Sequence, residues 1–307
     1  MRLSDHLKLR HLEVFVEVAR WKSVTRAAEM LNLTQPAVSR TLRDLEAVCG
    51  QSLLEKAGRG IRLSAHGKVF LKYASHSLSQ ARDGLRVLSQ DGDNGPALRI
   101  GALPTVSAAL VPQAVAQFRT TGFTNGLTIR TGENQVLLDQ LRNGHLDLVI
   151  GRLPAPENMI GLGFDPLFKE HVVATVSASH PLAGRSRIAR DMCESYPVLI
   201  PDEGSIIRPF VERLFFEHGL DIPSDAINTV SDSFGKAFTH AYNAIWFISA
   251  GVIRHELDTG TFVSLPLDTT STLGPVGLCT RRDQEQEPTA VQFCEVLRDL
   301  CRVMPTT

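Results

Sequence analysis

The sequence predicts a two-part molecule: a small, mostly helical domain closed by a β-hairpin, then one long helix leading into an α/β domain. Three observations carry this. Apolar residues before position 90 recur at three- and four-residue steps, the helical period. The breaker cluster DGDNGPA (91–97) interrupts that pattern, and beyond it short apolar strands alternate with helical stretches. Charge divides at the same place. Residues 1–90 hold 15 Lys and Arg against 8 Asp and Glu, a net +7, and because the whole chain carries −1 the rest carries −8.

A basic third joined to an acidic remainder suggests that one end alone meets a polyanion. The 307 residues leave room for two domains, and 43% hydrophobic with 21% charged residues is ordinary soluble usage. The five cysteines, at 49, 193, 279, 294 and 301, show no CxxC spacing and are odd in number, which argues against a zinc site or a complete disulfide framework. Cys294 and Cys301 share a helix face and read as small core residues rather than a redox switch. The start, MRLSDHLKLRHLE, lacks the apolar core of a secretion signal. No stretch approaches a membrane span, so the expected location is a reducing cytoplasm, with no membrane partner. No cofactor and no metal site are expected.

The first helix is set by Leu9, Leu12, Phe15, Val16 and Ala19. Ser23 then caps a short second helix carrying Ala27, Ala28 and Leu31. Asn32 and Leu33 make a turn, and Thr34 caps a third helix with Pro36 in its first turn, where a missing N–H costs little. The stretch LLEKAGRGIRLS (53–64) reads as two short strands about an Ala57–Gly60 tip, a basic wing. From 65 to 90, Leu71, Ala74, Leu78, Ala81, Leu85 and Leu88 keep a 3-4-3-4-3 spacing, the seam of a coiled coil. Such a helix is roughly 39 Å long. Packing against a copy of itself explains the seam most simply; folding back onto its own domain is the alternative.

Beyond the linker the predicted order is LRIGAL, a helix from Val106 to Arg119, LTIRT, the helix of ENQVLLDQLRNG, and LDLVIG. HVVATVS and PVLIP follow, then a helix from about Ser205 to His218, IWFIS, GPVGLCTR and a last helix to about Val303. This alternation predicts mostly parallel sheets.

The strongest functional signal is AAEMLNLTQPAVSRTLRDLE (27–46). Gln35, Ser39, Arg40 and Arg43 gather on one side of the third helix, while Val38, Leu42 and Leu45 take the other. Gln and Arg are the side chains that pair bidentately with adenine and guanine edges in a major groove, and Ser suits phosphate or base. Thr34 sits where a helix N-terminus binds phosphate. A plain helical hairpin with a solvated basic face is the alternative, and the wing and the charge asymmetry weigh against it.

At these residues the chain resembles the LysR-type transcriptional regulators, from the winged helix-turn-helix through GRGIRLSAHG and the long helix to an α/β effector domain. The resemblance implies DNA contacts from Gln35, Pro36, Ser39 and Arg40, with Lys56 and Arg59 of the wing on the backbone. It implies a dimer through 65–90 reading an inverted-repeat promoter site on double-stranded DNA, tetramers built from such dimers, and RNA polymerase as a partner. It also implies a periplasmic-binding-protein-like sensing region of two subdomains with a small-molecule effector between them. The expected divisions are 1–64, 65–90, a hinge at 91–97 and an effector domain at 98–307. Subdomain I would take about 98–168 and 268–303, and subdomain II about 169–267. LPTVSAALVP and TGENQVLLDQLRNGHLDLVIGRLPAPE resemble one branch, which includes regulators of protocatechuate (β-ketoadipate pathway) catabolism and of a galactose-binding protein. The first implies an activator induced by a ring-cleavage carboxylate; the second implies a sugar.

Open α/β sheets bind ligands beyond the carboxyl ends of their strands. That rule selects Thr105 and Ser107, Glu133 and Asn134, Ser205 and Ile206, and Phe247. Thr105 and Ser107 best match the family's effector hydroxyls, and helix capping is their plainer role. Arg152 and Arg208 are carboxylate partners or ion pairs. Asp232 would repel an anion and reads better as a cap. A catalytic reading finds no support: the sequence has no Walker loop, GxSxG, HExxH or GxGxxG after a strand, and no catalytic residue is assigned.

Overall fold

The computed structural model describes residues 7–57, 60–89, 97–186, 192–282 and 286–303. Arg59 lies outside them, as does all of the expected hinge except Ala97. The chain divides into two compact units, one centred on the residues up to Pro96 and the other on the chain from Ala97.

In the first unit, helices α1 (Leu9–Trp21), α2 (Val24–Met30) and α3 (Gln35–Cys49) enclose one core. Phe15, Val18, Ala27, Val38 and Leu45 are fully buried in it, each larger one contributing roughly 1.5–3 kcal/mol. Local chemistry sets the ends. Lys22 and Asn32 adopt left-handed φ angles of 51° and 53° at the two turns. Ser23 Oγ accepts from Arg26 N at 3.3 Å and Thr34 Oγ1 from Ala37 N at 3.4 Å, satisfying otherwise unpaired helix donors. The wing, β1 (Leu54–Ala57) paired antiparallel with β2 (Gly60–Leu63), is tied to α3 by Glu46. One carboxylate oxygen accepts from Leu53 N at 2.7 Å and Leu54 N at 3.1 Å. Helix α4 (Ala65–Ser89) then passes beneath the Leu53 carbonyl, so closely at Gly67 that a Cβ would collide with it.

The heptad seam of α4 is not used as one stripe. Ala74 and Leu78 are buried in the first unit's own core with Leu71 packed against them, whereas Leu85 is 66% exposed. An unsupercoiled helix has 3.6 residues per turn, so a 3.5-residue stripe drifts about 20° per heptad around it. The expectation of a continuous self-pairing seam is thereby corrected: its first half is spent on its own domain.

The second unit holds two five-stranded sheets. One has the order β4 (Leu127–Thr131), β3 (Leu98–Ala102), β5 (Leu148–Arg152), β12 (Gly274–Arg281), β6 (Leu162–Glu170). The other runs β11 (Phe262–Ser264), β7 (Val172–Ser177), β10 (Ile245–Ser249), β8 (Val198–Ile200), β9 (Ile227–Asn228). Each is mixed rather than mostly parallel: β12 is antiparallel to β5 and β6, and β7 is antiparallel to β10 and β11. The chain crosses between sheets at His171, which alone separates β6 from β7, and returns through 265–273.

Helices α5 (Pro104–Ser107), α6 (Leu110–Thr120), α7 (Asn134–Arg142) and α12 (Pro288–Val303) accompany the first sheet. With the second sheet go α8 (Met192–Ser195), α9 (Arg208–His218), α10 (Asp232–Tyr242) and α11 (Arg254–Asp258). The single helix expected from Val106 is broken at Ala109, whose φ of −127° leaves the helical region. The break lets α5 pack on the turn Ala250–Ile253 while α6 packs on α12. No disulfide joins any of the five cysteines. Burial pushes the thiols of Cys193, Cys294 and Cys301 up to about 11, which suits core residues and not reactive thiolates.

Candidate functional site

Two surfaces carry chemistry. On the first unit, the outer face of α3 presents Gln35, Pro36, Arg40 and Arg43 exposed, with Ser39 half-buried, and Thr34 exposed at its N-terminus. Val38, Leu42 and Leu45 hold the opposite face in the core. Arg43 Nε donates to the Ser39 carbonyl at 3.4 Å, which steadies one guanidinium along the helix. Lys56 is exposed on β1. The side chains of α3 form one helical ridge of a kind that fits a groove about 12 Å wide.

On the second unit, a cleft of ≈ 730 Å³ opens between the two sheets. Its walls are the segments that leave strand carboxyl ends: Leu103–Ser107 after β3, Thr131–Asn134 after β4, Asp202–Ile207 after β8 and Val230–Asp232 after β9. Thr105, Ser107, Glu133, Asn134, Ser205 and Ile206 all line it. Thr105 Oγ1 is buried without a hydrogen-bond partner, whereas Ser107 Oγ donates to the Pro104 carbonyl at 3.2 Å.

Three selected residues are elsewhere. Arg152 is 1% exposed and points into the junction between the sheets. There Nη2 donates to the Glu170 carbonyl at 2.9 Å and to that of Thr272, and the guanidinium carbon lies 4.1 Å from the Phe210 ring centroid. Arg208 spends its donors on Glu212 (2.7 Å), the Pro201 carbonyl (2.8 Å) and Asn228 Oδ1 (2.8 Å), pinning α9 to β8 and β9. Phe247 is fully buried against Phe215, ring centroids 4.5 Å apart. Its neighbour Ile248 lines the cleft instead, because successive strand residues face opposite ways.

The sequence reading missed Asp202, Val230 and Ser231. The strand leading to the last two, β9, has only two residues, too few to show a pattern. Asp232 does line the cleft, but the capping role belongs to Ser231, whose Oγ accepts from Phe234 N at 3.3 Å. The lining includes the carboxylates of Glu133, Asp202 and Asp232 and no Lys, Arg or His. An anion here would depend on hydroxyls and on the first-turn N–H groups of α7, a dipole effect of about 0.3–1 kcal/mol. Among the described residues no three His, Cys, Asp or Glu are grouped to hold a metal, and no helix is long and apolar enough to cross a membrane.

Comparison with known proteins assigns both parts of the chain to a family. Residues 9–68 match the family described as "Bacterial regulatory helix-turn-helix protein, lysR family", and residues 91–302 match "LysR substrate binding domain". The chain is similar to the HTH-type transcriptional regulator PcaQ of Agrobacterium fabrum, 46% identical over 284 residues, covering 92% of this chain and 91% of the relative. It is also similar to the HTH-type transcriptional regulator GbpR of Azospirillum brasilense, at 27% identity over 96% of this chain and 87% of the relative. In fold it resembles a full-length OxyR variant from Pseudomonas aeruginosa, with a TM-score of 0.64, 24% identity and coverage of 98% and 97% of the two chains. The chain belongs to the LysR family of DNA-binding transcriptional regulators.

Proposed function

We propose that this regulator is an effector-responsive activator of a catabolic operon, induced by a small carboxylate from aromatic (protocatechuate) degradation. It works in the cytoplasm, binds an inverted-repeat promoter site as a dimer or tetramer, and acts with RNA polymerase. The observation that carries the sensing role is the cleft itself: four segments leaving strand ends converge on it, with the unpartnered Thr105 hydroxyl in its wall. Similarity to PcaQ at 46% over nine-tenths of both chains favours the aromatic branch. The fold and relatives above are all regulators, which supports a role without catalysis. The sheet boundaries support a sensing region of two subdomains divided near 168 and 268. For the ligand to act as a switch, it must bind two arrangements of those subdomains unequally.

A second reading, a sugar effector, draws on one specific observation: the lining is rich in hydroxyls and carboxylates and lacks cations. The similarity to GbpR is weaker, at 27%. Thermal-shift screening separates the two. Stabilisation by ring-cleavage di- or tricarboxylates, and none by galactose or arabinose, is the outcome expected; a sugar hit transfers the assignment to the other branch. Footprinting of the upstream DNA with and without the stabilising acid then tests the coupling.

A further inference from the structure

Two stretches of chain join the sheets of the sensing unit: 170–172, where β6 passes into β7 at His171, and the return through 265–273. A single buried threonine ties them together. Thr272 ends the short turn Thr270–Thr272 and is fully buried. Its Oγ1 accepts from Val172 N at 2.9 Å and donates to the Thr269 carbonyl at 2.7 Å, which one hydroxyl can do at once. β11 pairs with β7 from Thr175 to Ser177, and Val172 lies beyond the end of that pairing. The hydroxyl therefore stands in for a strand partner, at an N–H that water does not reach because Val172 is fully buried.

The Thr272 carbonyl is held as well. Arg152, at the end of β5, donates from Nη2 to that carbonyl and to the Glu170 carbonyl at 2.9 Å, so one guanidinium grips both crossings from the first sheet. Its approach depends on Gly274, where a Cβ would stand 2.7 Å from Nη2 and 2.8 Å from Nε. The second sheet grips the return from its own side. His218 Nε2 donates to the Asp268 carbonyl at 2.7 Å and Ser271 Oγ donates to Glu217, both partners belonging to α9. Those two bonds are exposed to water, whereas Thr272 and Arg152 are 0% and 1% exposed. In a dry junction a broken hydrogen bond leaves its donor and acceptor unsatisfied. Parting the crossings at Thr272 would therefore strand the Val172 N–H.

We propose, on the reading that the effector favours one arrangement of the two subdomains over another, that Thr272 is a positioning residue for the sensing switch. Through its hydroxyl and its carbonyl it fastens the two crossings into one joint, so that the links between the sheets move together. Thr272 is not among the residues lining the cleft, so it acts on the ligand's effect and not on the ligand. Without its hydroxyl the two links flex separately. Arrangements between the two end states then open up, and the same effector contacts bias the sheets less.

The test is hydrogen–deuterium exchange of the full-length protein without ligand, read by mass spectrometry of overlapping peptides across 168–176 and 266–275. In the wild-type chain the Val172 amide should exchange as slowly as the core amides of β7, although it opens the strand. Thr272→Val keeps the shape and removes the hydroxyl. It should speed exchange at both crossings by at least about tenfold, while β3, β5, β8 and β10 stay within about threefold of wild type. Thr272→Ser loses the methyl and keeps the hydroxyl, and should stay within about threefold of wild type at both crossings. Fast exchange at Val172 in the wild-type chain overturns the proposal, whether or not the variants fold. So does Thr272→Ser exchanging as fast as Thr272→Val, which makes packing of the methyl the cause. An increase confined to 266–275, or spread evenly over both sheets, also overturns it. No effector takes part, so the ligand of the cleft stands or falls separately, on the thermal-shift screen.

Discussion

Arg40, Thr105 and Glu170 are three side chains whose proposed roles differ and can each be tested alone. Arg40 is exposed on α3, so removing it leaves the core untouched. For Arg40→Ala we expect a loss of ~1–3 kcal/mol in specific DNA binding, as for a base-reading arginine, with an unchanged circular dichroism melt; fluorescence anisotropy measures the first. Thr105 is the opposite case, a buried hydroxyl with no protein partner. Thr105→Val keeps the shape and removes that hydroxyl, so stability should hold or rise while the effector-induced footprint change is blunted.

Glu170 makes stability depend on pH. Burial raises its carboxyl to about 7 from 4.5, against the opposing pull of Arg152, the Gly251 N–H and the Ser249 hydroxyl. Nearby His171 is held below its usual value by burial and by Arg152. Between pH 4.5 and 7 the folded state therefore keeps a proton that the unfolded state has released. The sign is a loss of stability as pH rises through that window, up to about 3 kcal/mol. Urea unfolding at pH 5 and pH 8 should show this loss, and Glu170→Gln should remove it.

Helix α4 is the element where sequence pattern and structure part most usefully. Its six-residue seam is plain to read, yet periodicity cannot say which partner a stripe meets. Phe15, whose ring lies 5.5 Å from that of Phe70, and the buried core around it take up Ala74 and Leu78 before any second chain is involved. The consequence can be measured. Leu78→Ala should cost ~2–5 kcal/mol of folding stability. Leu85→Ala should leave the melt of the helix-turn-helix unit unchanged and weaken self-association, read by analytical ultracentrifugation. Elsewhere the short-range signals were sufficient: Ser23 and Thr34 cap as their chemistry suggests. The break at Ala109 had a local signal that the sequence reading passed over: Pro112 has no N–H to give the Ala108 carbonyl and is tolerated only in a first turn, where it stands in α6. Phe247 was misplaced by one residue, a distance that reverses the face of a strand.

For the molecule as a whole, the division into a basic reader and an acidic sensor was legible from charge and from the change of hydrophobic period. What could not be read were facts of long-range geometry. One is that Arg152 is drawn into the junction between sheets by carbonyls 18 and 120 residues away; another is that a two-residue strand delivers Val230–Asp232 to the cleft. Both depend on chain crossings at His171 and 265–273, which no local pattern announces. The proposed action of the regulator rests on the face from Gln35 to Arg43 reading DNA sequence. Anisotropy titration of the protein against the duplex upstream of its own coding region, and against a shuffled duplex of equal length across a salt series, tests this directly. At least about 10³-fold tighter binding to the upstream duplex is expected, with affinity falling steeply as salt rises; equal affinity for the two duplexes at moderate salt would contradict it.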